Sequence, residues 1–254
     1  SLRAADWQPG LTLAAWIALL TVVQFAAQPA TAASPVVAHP SPALEEIIVT
    51  ASLREQPLAA VPASITVLGQ ETLQSAGLQH FGDVLGLVPN LNWSGGTSRP
   101  RFFQLRGIGE LEQYQGAPNP SVGFLIDDID LSGVGMPATL FDVQQVEVLR
   151  GPQGTRYGAN ALAGLVKIKT RDAATTPDFH AEVTGAENDT WSAGLAGGGP
   201  IGSAGSAWRI AGQTFSSDGF QRNAYLGRDD TNGRDESTLR GKLRWELAPG
   251  WRAN

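Results

Sequence analysis

Three carboxylates crowd one short stretch, Asp127, Asp128 and Asp130. Such residues can hold a hard cation or serve as acid and base. If the preceding apolar run continues as a strand, however, Asp127 and Asp128 fall on opposite faces. No histidine or further acidic cluster adjoins them, so a turn is the favoured reading. The histidines, His39, His80 and His180, lie far apart, none beside a nucleophile motif. With no cysteine, disulfides, thiolate metal sites and cysteine nucleophiles are excluded. Gly151-Pro152-Gln153-Gly154 with Tyr157-Gly158 has the glycine density of a phosphate cradle but lacks the Gly-Lys-Ser/Thr ending. Its expected task is to reverse the chain without a side-chain clash. We therefore expect no catalytic residue, no metal and no cofactor.

Two arginines carry a different kind of chemistry. Arg106 and Arg150 each close an apolar β run and each precede a glycine, Gly107 and Gly151. A guanidinium there is costly to bury unless it is paired, and its planar fork suits a carboxylate. The simpler alternative is an ordinary surface arginine.

The elements that must position these groups read as β structure. Val146 to Arg150 and Gly164 to Thr170 alternate in period two around a glycine-punctuated turn containing Gly151, Gly154 and Gly158. Upstream, Ala63–Leu68 is a β-branched run, and Phe102–Arg106 is a strand stopped by Gly107. Val122–Ile126 is a buried-type strand. Helical turns are expected at 69–75 and 78–88, the second ended by Pro89, and a short helix at 138–144. Together these make a compact α+β region with a small mixed sheet over residues 52–175.

Residues 176–254 change character. Phe179, Ala181 and Val183 alternate with His180, Glu182 and Thr184. Trp191 and Leu195 alternate with Ser192 and Gly194, and Trp208 and Ile210 with Arg209 and Gln213. Leu239, Leu243, Trp245 and Leu247 alternate with Arg240, Lys242, Arg244 and Glu246. Segments of about ten residues, apolar on one face and polar on the other, are the pattern of outer-membrane barrel strands. The tryptophans on the apolar faces and the charged face of the last strand favour lipid outside and a wet lumen inside. A soluble exported β-sandwich, binding or hydrolysing carbohydrate through Asp127 and Asp130, needs the same alternation and is the alternative. Four strands cannot close in lipid, so we expect a truncated transmembrane barrel with further strands after Asn254.

Composition sets the remaining bounds. Net charge is −6 and the pI is near 5.1, which argues against nucleic acid. Thirty glycines in 254 residues exceed the usual ~7%, as in turn-rich β proteins. Leu11 to Val23 is an uninterrupted apolar run, shorter than the ~20 residues of a transmembrane helix. It is followed by Ala30-Thr31-Ala32, which fits a small-x-small cleavage site. Residues 1–33 are expected to be a signal peptide and residues 34–44, with three prolines, a flexible linker. Residue 1 is Ser, so the numbered chain is expected to lack its natural start.

Glu46-Ile47-Ile48-Val49-Thr50-Ala51, directly after that linker, has high β propensity and no obvious local partner strand. It could add itself to a sheet edge on another protein, or be the first strand of the domain that follows. With the Val146–Thr170 stretch, it resembles a TonB-dependent outer-membrane receptor over residues 45–254. The resemblance implies a plug domain at 52–175, a TonB box at 45–51 and the first barrel strands at 176–254. It implies that Glu46, Ile47, Ile48, Val49, Thr50 and Ala51 pair with TonB, itself driven by ExbB/ExbD. It implies that Arg106 and Arg150 face carboxylates of the inner barrel wall, and that Gly107, Gly151, Gly154, Gly158 and Gly164 shape plug turns. The Asp127–Asp128 position resembles the family's Val-Asp-Gly turn. Ligand-sensing loops would carry Trp93, Arg99, Tyr114 and Gln115, and the ligand would be an extracellular scarce nutrient such as a ferric siderophore. The place of such a receptor is the outer membrane of a Gram-negative bacterium.

Overall fold

The computed structural model describes residues 47–50, 56–96, 100–111, 119–134, 139–202, 205–248 and 251–253. The chain opens with the two-residue strands β1 (Ile48–Val49) and β2 (Gln56–Pro57), paired antiparallel. There follow β3 (Ser64–Gly69), helices α1 (Gln70–Ser75) and α2 (Phe81–Val84), β4 (Leu91–Ser94), β5 (Phe102–Leu105), β6 (Val122–Ile126), β7 (Ile129–Asp130) and β8 (Val143–Arg150). A one-turn helix α3 (Gly154–Tyr157) then leads to β9 (Gly164–Thr170).

These elements form a five-stranded mixed sheet of order β3-β8-β9-β6-β7, in which β6 and β9 run parallel and the other neighbours antiparallel. Strict alternation in β8 sends Val146 and Val148 to one face and Glu147 and Leu149 to the other. The first face, with Val166 and Ile168, packs on Leu73 of α1, Phe81 and Val84 of α2, and Phe103 and Phe124. Phe81, Phe103 and Phe124 meet ring to ring, with centroids 5.1 to 5.5 Å apart, and dominate this core through their large buried area. The second face buries Leu149 and Leu165 with Leu125 and Ala161.

One expected helix is cut short and another does not form among its described residues. Residues 78–88 yield only the single turn α2. His80 caps it: Gly82 N donates to His80 Nδ1 at 3.0 Å, and His80 N donates to Asp83 Oδ2 at 3.1 Å. Beyond Val84 the backbone tightens into i to i+3 bonds, Gly86 N to Asp83 O and Leu87 N to Val84 O. The described part of 138–144 is not a helix. Asp142 takes a left-handed φ of 59° and β8 begins at Val143.

The remaining strands are β10 (Asp178–Ala186), β11 (Thr190–Ile201), β12 (Ser206–Ser217), β13 (Gln221–Asn223), β14 (Arg228–Thr231), β15 (Arg234–Ala248) and β16 (Trp251–Ala253). β10, β11, β12, β15 and β16 form an antiparallel meander, one strand more than expected, and β13–β14 is a hairpin within the long 218–233 connection. The turn expected over 197–205 is narrower, because β11 keeps its register through Ile201.

The meander is inside out by the standards of a water-soluble protein. Phe179, Val183 and Leu239 are 71%, 83% and 79% exposed, and Leu195, Ile210 and Leu247 are exposed with them. On the opposite face Ser192, Arg209 and Gln213 are buried. A sandwich would turn the apolar face inward, so this arrangement counts against that alternative. An apolar band of this kind belongs against hydrocarbon.

Candidate functional site

The polar face of the meander lies on the mixed-sheet unit, with contacts from β10, β11, β12 and β15. Gln79, between α1 and α2, is a hub. Its Nε2 donates to Glu182 Oε1 at 3.2 Å, and its Oε1 accepts from Ser192 Oγ at 3.2 Å and Gln213 Nε2 at 3.1 Å. Thr139 Oγ1 also bonds Gln213. His80 Nε2 lies 3.7 Å from Glu236 Oε2; since Nδ1 accepts from Gly82, a neutral ring carries its proton on Nε2, toward that carboxylate.

One end of this interface is built on charge. Arg209 of β12 forks onto Asp142, with Nε to Oδ2 at 2.8 Å and Nη2 to Oδ1 at 2.5 Å. Its Nη1 reaches both oxygens of Asp178 at 2.9 Å. Beside it Phe141 sits in a socket of small residues, Gly194, Ala196 and Ala211, where a Cβ at Gly194 would collide with the ring. Arg240 bonds the Phe141 carbonyl. Lys242 of β15 holds Asp127 at 3.1 Å and Asp172 at 3.2 Å.

The three aspartates of the β6–β7 turn are thereby separated in role. Asp127, at φ 56°, accepts from Thr170 N and Oγ1, both at 2.9 Å, besides pairing with Lys242. Asp128 pairs with Lys167 at 3.1 Å. Asp130 accepts from Ser132 N and Asn160 Nδ2, both at 2.9 Å. Burial alone would raise the Asp130 carboxyl, but the bonds from Ser132 and Asn160 outweigh it and hold the group below the ordinary 3.8. Among the described residues no three His, Asp or Glu side chains gather to hold a metal ion.

Arg106 and Arg150 converge on the start of β3. Arg106 Nη2 stands 3.5 Å from Ser64 Oγ. Arg150, register partner of Ser64, donates from Nη1 to Thr66 Oγ1 at 2.7 Å and from Nη2 to Pro89 O at 3.3 Å. Of the five turn glycines, Gly107, Gly151 and Gly158 have positive φ, and a Cβ at Gly164 would strike Leu105 and the Leu149 carbonyl. Gly154 has an ordinary φ and open space.

The segments around Ser94, Arg101, Glu110 and Gly133 are tied together. Ser94 Oγ donates to Glu110 O at 3.1 Å, Arg101 Nε to Gly133 O at 3.0 Å, and Ser121 N to the Glu110 carboxylate at 2.8 and 2.9 Å. Trp93 is half-buried, opposite Phe103 in register and packed on the core. Arg99, Tyr114 and Gln115 lie outside the described residues, as do Glu46, Ala51 and segments 1–33 and 34–44.

The segment expected to lack a local partner has one. Ile48 and Val49 pair with Pro57 and Gln56, and Ile47 O accepts from Leu58 N at 2.8 Å. Val49 is wholly buried. Thr50 donates from N at 2.8 Å and from Oγ1 at 2.9 Å to Glu147 Oε1.

The family model for the TonB-dependent receptor plug domain matches residues 57–165. The pesticin receptor of Yersinia pestis is 30% identical over 205 residues, 80% of this chain and 30% of that protein. The vitamin B12 transporter BtuB of Vibrio vulnificus is 28% identical over 227 residues, 82% of this chain and 33% of that protein. Among solved structures, the ferric yersiniabactin uptake receptor FyuA of Yersinia pestis superposes with a TM-score of 0.63 at 30% identity, covering 73% of this chain and 29% of that one. This chain belongs to the TonB-dependent receptors. It spans about a third of the length of the relatives it matches.

In the receptor's terms, the mixed-sheet unit is the plug and the meander is the first part of the barrel wall, its polar face turned to the plug. The family's place is the Gram-negative outer membrane, and the exposed apolar band is what that place requires. The relatives are transport receptors, not enzymes. The plug–wall contacts through Gln79, Asp142 and Arg209 escaped sequence reasoning. Arg209 had a visible signal, a cation between Trp208 and Ile210 on the polar side of an alternating strand. Its partner Asp142, 67 residues away, had none. Glu147 was legible in principle as a carboxylate set between Val146 and Val148.

Proposed function

We propose that this chain is the plug and leading wall of an importer that takes up a scarce nutrient across the outer membrane, a ferric siderophore before other classes. The observation that carries the reading is the inside-out meander, with lipid-ready residues outward and the plug seated on its polar face. The name of FyuA, a ferric yersiniabactin uptake receptor at 30% identity, supports the ligand class; the vitamin B12 transporter is the reason to test cobalamin beside it. Ligand binds at the sensing residues Trp93, Arg99, Tyr114 and Gln115. The 46–51 segment, at the end of a 34–44 linker behind a 1–33 signal peptide, is then offered to TonB, powered through ExbB/ExbD. Ligand favours one of two plug states and so shifts their populations. Arg106 and Arg150, side by side at the start of β3, face carboxylates elsewhere in the wall.

The test is uptake. Cells carrying the full-length receptor as their sole outer-membrane route are fed labelled ferric siderophores and labelled cobalamin, with and without functional TonB. TonB-dependent accumulation of a ferric siderophore is expected. Accumulation of cobalamin alone overturns the ligand class, and uptake indifferent to TonB overturns the mechanism.

A further inference from the structure

We propose that Glu147 is the clamp that keeps the 47–50 segment, which contains β1, docked on the plug, an inference that rests on reading 46–51 as the segment offered to TonB. The backbone hold on the strand is thin. β1 has two residues, and Ile48 stands opposite Pro57, which has no N–H to give to a ladder. Leu58 N to Ile47 O at 2.8 Å adds a backbone bond, and side chains of β8 supply the rest. Glu147 Oε1 takes both Thr50 donors, at 2.8 and 2.9 Å. Gln145 Nε2 bonds the same oxygen and reaches the Ile48 carbonyl at 3.1 Å. Gln145 and Glu147 thus grip the short strand at Ile48 and Thr50, on either side of Val49, which is sealed beneath.

The burial of Glu147 makes this a clamp and not a mere contact. Its side chain is fully enclosed on the second face of the sheet, opposite Lys167 in the β8–β9 register. A carboxylate in that position is tolerated only while donors satisfy it. When the strand leaves, Glu147 loses two donors at once, one of them a main-chain N–H. Gln145 stays in place, but undocking has to replace the two lost donors with water or other groups, which favours the docked state. Glu147 is a positioning residue: it acts through the strand and touches no nutrient.

The experiment uses the full-length receptor in proteoliposomes, with a nitroxide on Ile47→Cys; these 254 residues have no native cysteine. A second reporter sits on Gln144→Cys, an exposed position of β8. Without nutrient, Glu147→Ala is expected to raise the mobile fraction of the residue-47 spectrum at least about tenfold, as for loss of charge-assisted hydrogen bonds. Glu147→Gln, which keeps an acceptor oxygen but no charge, gives a smaller rise. Thr50→Val, which keeps the N–H, does the same. The Gln144 reporter stays unchanged. Spectra at residue 47 identical in parent and all three variants overturn the clamp. So does equal mobilisation of both reporters, which is general loosening. The periplasmic domain of TonB separates this from the underlying reading. A mobile strand in Glu147→Ala that fails to capture that domain overturns the docking role and leaves the clamp standing. Equal capture by parent and variant, with an immobile label, overturns the clamp alone.

Discussion

Arg209 and Asp142 form a two-pronged ion pair across the plug–wall interface, and both side chains are almost wholly buried. Its polarity is the reverse of the one expected at Arg106 and Arg150, since here the plug supplies the carboxylate and the wall the guanidinium. Removing one partner strands the other. Arg209→Ala is expected to destabilise plug seating by about 3–5 kcal/mol, the usual cost of a buried charge left alone. Asp142→Asn combined with Arg209→Met is expected to cost less than Arg209→Ala. Denaturant titration of the full-length receptor, followed by a plug-specific fluorophore, measures both.

Two glycines ten residues apart, Gly154 and Gly164, should respond oppositely. Gly164→Ala drives a methyl into Leu105 and the Leu149 carbonyl and is expected to cost about 1–3 kcal/mol as overpacking. Gly154→Ala, in open space at the start of α3, is expected to be neutral or to stabilise by about 0.4–1 kcal/mol by restricting the unfolded chain. Thermal melts of the purified receptor read both.

Leu239 is among the most exposed residues of the meander. On a water-facing surface Leu239→Arg would be harmless. On a lipid-facing wall it is expected to cost up to about 2–4 kcal/mol, depending on depth. The fraction folded into lipid vesicles, compared with that of the parent receptor, distinguishes the two.

Asp130 sets a pH dependence with a definite sign. Its carboxyl is held below 3.8 when folded, because the Ser132 and Asn160 bonds overcome the upward push of burial. The stabilisation it gives is therefore present above the unfolded value and is lost as pH falls through the folded one. Asp130→Asn is expected to lower the melting temperature at pH 6 and to converge on the parent as pH falls through the lowered folded-state value.

The alternation of Phe179 to Val183 and Leu239 to Leu247 made both faces of the meander legible, because period two needs no knowledge of partners. β8 and β9 were legible for the same reason, and β6 as a short continuous apolar run. The α2 turn was overextended because Leu78, Leu85 and Val88 look helical in spacing, while the His80 cap and Gly86 confine it. The bend at Asp142 was read as helix because its left-handed backbone is tied to Arg209, a distant contact. β1 looked partnerless because a two-residue strand opposite Pro57 leaves almost no pattern.

The one-in-two rhythm of the wall also bears on how such a polypeptide travels. Because Arg209 interrupts Trp208 and Ile210, and Arg240, Lys242 and Arg244 interrupt Leu239 to Trp245, no wall segment offers the ~20 consecutive apolar residues that would arrest it in the inner bilayer. Greasiness is dealt out singly along the thread and gathers into a continuous belt only when neighbouring strands align, so the protein becomes insoluble in water at its destination and not on the way there.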